Sequence, residues 1–241
     1  MSSVDTPHAP VWAIVPAAGR GSRIGVDTPK QYLPLAGQPM LWHTLHALAL
    51  TPRLAGMVIV TTTEDRQWRR CVPPGIEIHH AHGGETRMHS VLNGLRVLAT
   101  FAPDHAWVLV HDAARPCVPR EDLARLVVAV EGHPCGGLLA RPVADTLKRQ
   151  HAARPPAVES TVSRAGLWQA LTPQLFRLGL LRDALERADV QNILVTDESQ
   201  AIERLGHQPL LVEGSAVNFK VTLPSDLALA ERLLTGGGAL A

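Results

Sequence analysis

The stretch Val11-Trp12-Ala13-Ile14-Val15-Pro16-Ala17-Ala18-Gly19-Arg20-Gly21-Ser22-Arg23, continued by Pro29-Lys30-Gln31, constrains this chain more than any other. Its first five residues are mostly apolar and predict a buried strand. The strand runs straight into a loop of alanine and glycine. Small side chains let an anion approach backbone N–H groups, and Arg20, Arg23 and Lys30 add positive charge. A polyphosphate suits such a loop; an ordinary glycine-rich turn after a core strand is the alternative that the loop alone leaves open. Two familiar phosphate loops do not fit. The dinucleotide fingerprint G-x-G-x-x-G wants an acidic residue about 20 positions on. Here Gly19-x-Gly21 is followed by Arg23 and Gly25, and the second predicted strand ends at Glu64, 45 positions after Gly19. No G-x-x-x-x-G-K-[ST] occurs.

Other function classes are narrowed by bulk properties. The 241 residues suffice for one large domain with a real core. A net charge of +1 and 4% aromatics provide neither the electrostatic field nor the stacking platform of a nucleic-acid binder. Cys71, Cys117 and Cys135 are widely spaced with no C-x-x-C, which suits a reducing cytoplasm rather than a disulfide framework or zinc site. Residues 1–10 lack the pattern of a signal peptide and are expected to be a flexible N-terminus. No apolar run approaches a membrane span, so no membrane association is expected.

Along the chain, helices are expected at Met40–Leu50, Ser90–Leu98 and Glu121–Val130, with a short one at Glu64–Arg70. Strands are expected at Gly56–Thr62, Gly75–His79 and Ala106–Val110. This alternation predicts an α/β fold with a mostly parallel sheet. The loops Gly19–Arg23, Gly83–Arg87 and Asp112–Arg115 then share the carboxyl edge of the sheet, where such folds bind ligands. Beyond Gly136 the pattern changes. Gly137–Val143, Asp145–Gln150 and Ala157–Ser163 read as strands around a turn at His151–Pro156, with no helix to cover them. An uncovered hairpin of this kind, at about 142–163, suits an arm that grips a second subunit; a disordered insertion is the plainer alternative. Helices follow at Gln174–Ala188 and Glu198–Leu205, the second capped by Thr196. Strands at Gln208–Val212 and Ala216–Val221 and a helix at Ser225–Leu234 close a single domain of residues 11–235, with 236–241 a flexible tail.

Three groups of residues could carry chemistry. In His111-Asp112-Ala113-Ala114-Arg115-Pro116, Asp112 stands alone at a strand's carboxyl end. One carboxylate suffices for Mg²⁺ beside nucleotide phosphates; a turn-capping aspartate is the alternative, and Arg115 could simply pair with it. Lys220 lies in a strand-like run, where a phosphate partner or an edge position facing water would each explain it. His79-His80-x-His82 lacks a fourth ligand at useful spacing and reads as surface-loop histidines. No H-E-x-x-H, D-x-D or G-x-S-x-G occurs.

Taken together, the motifs resemble the 2-C-methyl-D-erythritol 4-phosphate cytidylyltransferase family, from Val11 to about Leu234. The match rests on Pro16-Ala17-Ala18-Gly19-x-Gly21-x-Arg23, Pro29-Lys30-Gln31-Tyr32, Gly83-Gly84-x-x-Arg87-x-x-Ser90-Val91 and Val110-His111-Asp112-Ala113-Ala114-Arg115-Pro116. It continues in Pro142-Val143-x-Asp145-Thr146-x-Lys148, Arg164-x-Gly166-Leu167-Trp168-x-Ala170-x-Thr172-Pro173-Gln174, Thr196-Asp197-Glu198 and Asn218-x-Lys220-Val221-Thr222. The first motif is common to many nucleotidyltransferases. His-Asp-Ala-Ala-Arg-Pro with Leu-Trp-x-Ala-x-Thr-Pro-Gln is far more specific.

The resemblance implies a Rossmann-like nucleotidyltransferase fold, a three-layer sandwich with a mostly parallel sheet and a protruding β arm. It implies transfer of CMP from CTP to methylerythritol phosphate, with Mg²⁺ or another divalent cation and a homodimer joined through the arm. By the same resemblance, Arg23 and Lys30 stabilise the triphosphate, and Arg164 and Lys220 aim the attacking phosphate. Ala17, Ala18, Gly19 and Gly21 cradle phosphate. Gly83, Glu85 and Ser90 read the cytosine, and Ala113 joins the nucleotide site. Asp112, Arg115, Thr146, Arg164, Thr172 and Thr196 serve the alcohol phosphate, with Asp112 also beside the metal. Thr146 and Arg164, on the arm, would serve the partner's site. Glu85 departs from the commoner Asp. The nearest rival on this fold is a ribitol 5-phosphate cytidylyltransferase. The length leaves no room after Leu234 for the second catalytic domain fused in some relatives.

Overall fold

A computed structural model describes residues 9–19, 28–152 and 155–236. The first strand, β1 (Val11–Pro16), lies in the middle of a seven-stranded sheet. Val11, Ala13 and Val15 enter one apolar cluster, and Trp12 and Ile14 the other. Burial on both faces is why the run is continuously apolar. Ala9 and Pro10, expected within the flexible N-terminus, are packed: Ala9 is buried, and the Pro10 carbonyl accepts from the Trp107 amide at 3.1 Å; residues 1–8 lie outside the described residues.

After β1 come a 3₁₀ turn (Lys30–Tyr32) and the minimal hairpin β2 (Pro34–Leu35) and β3 (Gln38–Pro39). Helix α1 (Met40–Leu48), β4 (Leu54–Thr61), β5 (Glu77–His82), α2 (Arg87–Leu98), β6 (Trp107–Val110) and α3 (Arg120–Val130) follow. Next are β7 (Gly136–Pro142), β8 (Leu147–His151), β9 (Ala157–Val162), β10 (Trp168–Arg177), α4 (Leu178–Val190), α5 (Glu198–Arg204), β11 (Leu210–Glu213) and α6 (Pro224–Thr235). The sheet order is β11-β7-β10-β6-β1-β4-β5. All neighbours are parallel except β10, which runs antiparallel to β6 and β7.

Apolar side chains of α1 and α3 cover one face and those of α2, α4 and α5 the other, which makes three layers. The chain moves from β1 outward to β4 and β5, then returns to β6 on the other side of β1. That reversal opens a crevice at the carboxyl ends of β1 and β6, the preferred ligand position of an open α/β sheet. No helix among the described residues is long and apolar enough to cross a membrane.

Strands β8 and β9 pair only with each other, and almost every residue on them is exposed. The uncovered hairpin read from the sequence is therefore present.

Several expectations are corrected. The helix expected at Gln174–Ala188 begins only at Leu178, because Gln174–Arg177 belong to β10. The strand accommodates Pro173 at an irregularity in its ladder with β7 between Ala170 and Gln174. No strand forms over Ala216–Val221; this segment is a loop whose bonds go to other loops. The third strand is Glu77–His82 rather than Gly75–His79, and a 3₁₀ turn at Gln67–Cys71 replaces the short helix. His79, His80 and His82 therefore lie on β5 rather than in a surface loop, where His80 stacks on Trp68 at 5.1 Å and His79 on Phe101 at 3.9 Å. The cap of α5 is Asp197, which accepts from the Gln200 amide at 3.0 Å, not Thr196.

Candidate active site

A cavity of about 290 Å³ opens at the carboxyl ends of β1 and β6 and at the start of α2. Its walls include Ala17, Ala18, Gly19, Lys30, Glu85, Arg87, Ser90, Asp112, Ala113 and Lys220. The loops that the sequence placed at one edge of the sheet thus meet around one space.

Each wall is held by its own bonds. The Ala17 amide donates to the Val60 carbonyl at 2.7 Å, and the Ala17 carbonyl accepts from the Gln31 side chain at 2.7 Å. Ala17 therefore fixes the loop, and the Ala18 and Gly19 amides, which bond to nothing among the described residues, remain for a ligand. The Gly83 loop packs directly on this turn: a Cβ at Gly83 would lie 2.3 Å from the Ala18 Cβ. Only glycine permits that approach. Gly83 itself lies behind the wall. Ser90 Oγ accepts from the Gly84 amide at 3.1 Å and donates to the Thr86 carbonyl at 3.0 Å. It therefore positions the loop carrying exposed Glu85. The amino end of α2 also reaches the cavity, which favours an anion.

Asp112 is the electrostatic hub. Arg87 Nε donates to its Oδ1 at 2.9 Å and Lys220 Nζ to its Oδ2 at 2.8 Å. Arg115 Nε stands 3.8 Å from Oδ2. Burial alone would raise the carboxyl's pKa; the charges of Arg87, Lys220 and Arg115 outweigh it and hold the group far below the usual carboxylate range. Arg87 also donates to the buried carboxylate of Glu198 at 2.7 and 3.1 Å. Both residues stand inside sequence motifs, but nothing local in the sequence assigns them to this site. Their 111-residue separation left no local signal.

Behind Asp112 lies a fully satisfied buried chain. His111 Nε2 donates to the Arg115 carbonyl at 3.0 Å, and its Nδ1 accepts from Thr172 Oγ1 at 3.0 Å. Thr172 Oγ1 in turn accepts from the Asp112 amide at 3.1 Å. The Thr172 hydroxyl is thus occupied inside the protein, away from the cavity. Burial pushes His111 down to about 4, so it is neutral. Between an unfolded value near 6.5 and this folded value, only the unfolded chain takes up the proton, so stability falls as pH falls through that window. Urea unfolding from pH 7 to 4 is expected to show a loss of roughly 3 kcal/mol from this group. A His111→Gln variant should lack that component; parallel curves for the two proteins would contradict it.

Lys220 is set by its loop. The Asn218 side-chain amide donates to the Thr172 carbonyl at 2.8 Å, and the Asn218 main-chain carbonyl accepts from Arg115 Nη1 at 2.7 Å. The Val221 amide donates to the Ala114 carbonyl at 2.9 Å. Arg115 lines a second cavity, of about 260 Å³, which shares Lys220 with the first. Thr146 and Arg164 are exposed on and beside the arm, and Thr196 is exposed before α5 with its amide on Gln200 Oε1 at 2.7 Å. None of these three lines either cavity. Arg20, Gly21 and Arg23 lie outside the described residues.

No group of three or more metal-ligating side chains gathers among the described residues. Of the two carboxylates lining the cavity, Glu85 is exposed on its loop, and both oxygens of Asp112 already accept from cations. This donor set does not build a resident Mg²⁺ site.

The family model of 2-C-methyl-D-erythritol 4-phosphate cytidylyltransferase matches residues 11–236. The protein of that name from Laribacter hongkongensis is 53% identical over 227 residues, covering 92% of this chain and 95% of its own. That from Chromobacterium violaceum is 50% identical over 225 residues, covering 92% and 96%. The crystal structure of the Francisella tularensis enzyme superposes with a TM-score of 0.79 at 34% identity, covering 93% of this chain and all of its own.

Proposed function

The chain belongs to the 2-C-methyl-D-erythritol 4-phosphate cytidylyltransferase family, and from that premise we propose how its own residues transfer CMP from CTP to that alcohol phosphate. The observation that carries the reading is the convergence of the β1 loop, Lys30, the amino end of α2, Asp112 and Lys220 on one cavity. An oxygen of the substrate phosphate attacks the α-phosphorus of CTP in line. The bond from that phosphorus to the α–β bridging oxygen breaks, and its electron pair leaves with pyrophosphate. No covalent enzyme intermediate is required. The protein's part is positioning and charge neutralisation.

The Ala18 and Gly19 amides, with Lys30, Gly21 and Arg23, cradle the triphosphate. The Gly83–Glu85 loop, held by Ser90, faces the base, and Ala113 closes the nucleotide side. Lys220, which lines both cavities, neutralises the attacking phosphate and the α-phosphate together. Asp112 keeps Lys220 and Arg87 in place and accepts from substrate hydroxyls, with Arg115 on the alcohol side, while Thr172 acts from behind by holding His111 and the Asp112 amide. Any divalent cation arrives with CTP as the metal–nucleotide substrate.

The arm is the proposed contact between two copies. Both of its strands are exposed, and Val158, Leu167 and Trp168 present apolar surface on and beside it. Thr146 and Arg164, which miss this chain's own cavities, then serve the site of the second copy. One experiment tests reaction and assembly together. Wild type, sized by light scattering, should be a dimer that releases pyrophosphate from CTP and methylerythritol phosphate in step with product. Replacing residues 148–161 by a short glycine-serine link should give a monomer with activity reduced by about 100-fold or more, the order expected when a positioning charge is lost. A monomeric wild type, or an active arm-deleted monomer, would contradict the proposal.

A further inference from the structure

The second cavity carries more positive charge than its carboxylates balance. Arg115, Arg141 and Lys220 line it, together with Gln169, Ser215 and Asn218. Arg115 and Lys220 share Asp112, which also takes Arg87. Glu198 is spent on Arg87. Asp122, beneath the Ser215 turn, accepts from the Ser215 amide at 2.6 Å and from Arg125 at 2.9 Å, so it does not reach these cations. Four cations, Arg87, Arg115, Arg141 and Lys220, thus meet two carboxylates, Asp112 and Glu198.

Arg141 is the cation left over. It stands one residue from the end of β7, opposite Gln169 of β10, half-buried. Its side chain makes no hydrogen bond or ion pair among the described residues. Arg115, 8% exposed, lines the same cavity, and its Nε makes no hydrogen bond and stands 3.8 Å from Asp112 Oδ2, so it is only loosely paired. An unspent guanidinium beside a loosely paired one around a single space points to an anion. An excess of two positive charges matches a phosphate monoester dianion, and guanidinium forks bind phosphate oxygens in pairs.

We propose that Arg141 binds the phosphate of methylerythritol 4-phosphate, holding it with Arg115 beside Lys220, where the two cavities meet and the α-phosphorus of CTP lies within reach. The inference rests on the assignment of that alcohol phosphate as second substrate. It makes Arg141 a determinant of KM for this substrate alone.

The test is steady-state kinetics of the wild-type protein, Arg141→Ala and Arg141→Lys, varying each substrate with the other saturating. Loss of a charge-assisted bond should raise KM for the alcohol phosphate by roughly 10- to 100-fold in Arg141→Ala. KM for CTP should stay within about twofold, the scatter expected where no contact is lost. Arg141→Lys, which keeps the charge without the fork, should recover part of the loss. An unchanged KM for the alcohol phosphate overturns the proposal, as does an equal rise in both KM values, which would mean a structural role. A dimer that dissociates more readily with KM intact would show that Arg141 faces a carboxylate of the second copy instead, and also overturns it. Wild type inactive toward the alcohol phosphate would fail the substrate assignment itself, an outcome distinct from the others.

Discussion

Lys220→Ala is expected to lower kcat for cytidylyl transfer by about 100- to 1000-fold, the usual cost of removing one preorganised charge from a developing transition state. The Lys220 amine lines both cavities and lies 2.8 Å from Asp112. Its side chain is 44% exposed, so it is reachable by substrate and little of it is packed. Truncation should therefore leave the fold intact. Asn218 and Val221 still pin the loop, and Asp112 keeps Arg87 and Arg115 as partners. Thermal unfolding of the variant should match wild type while turnover collapses. A kcat within a few-fold of wild type would remove Lys220 from the chemistry.

The second large effect is expected at Glu198, a positioning residue outside both cavities. Its carboxylate is 1% exposed and takes two bonds from Arg87, whose remaining Nε holds Asp112. Burial lowers the pKa of Arg87, but Glu198 and then Asp112 more than reverse that, so the guanidinium is firmly charged. Glu198→Ala leaves that cation half-buried beside a single carboxylate. Breaking one side of a buried pair costs about 3–5 kcal/mol. Denaturant unfolding should show that loss, with kcat falling because Arg87 no longer aims Asp112. Glu198→Gln keeps the shape and one acceptor, so it should recover much of the stability and part of the rate. Unfolding of Glu198→Ala within 1 kcal/mol of wild type would show that the pair does not hold the site.

The features legible in the sequence are those whose cause is local. The apolar run of β1, the small residues of Ala17–Gly19 and the Asp112 loop all announce themselves within a few positions, and they meet in one cavity. The uncovered arm was legible because β8 and β9 have polar, exposed sequences with no helical period between them. The misread features depend on distant partners. Strand β10 does not read as a strand, and its last residues read as part of the following helix, because its pairing with β6 and β7 supplies what local propensity does not. The Ala216–Val221 run has strand-like residues, yet its backbone bonds go to Ala114 and Ser215 rather than to a ladder. Thr172 matched the family motif as a substrate contact. Its hydroxyl bridges His111 and the Asp112 amide, positions some 60 residues away, which no local pattern encodes. Arg87, Glu198 and Arg141 acquire meaning only once the sheet brings their loops together.

The most direct measurement is pyrophosphate release by wild-type protein with Mg²⁺ and CTP, offered methylerythritol 4-phosphate or ribitol 5-phosphate as acceptor. A two-cavity site joined at Lys220 and specific for the branched alcohol should release pyrophosphate with the first, in equal amount with the CDP-linked product, and little with the second. Turnover with ribitol 5-phosphate alone, or with neither acceptor while CTP still binds, would contradict the account.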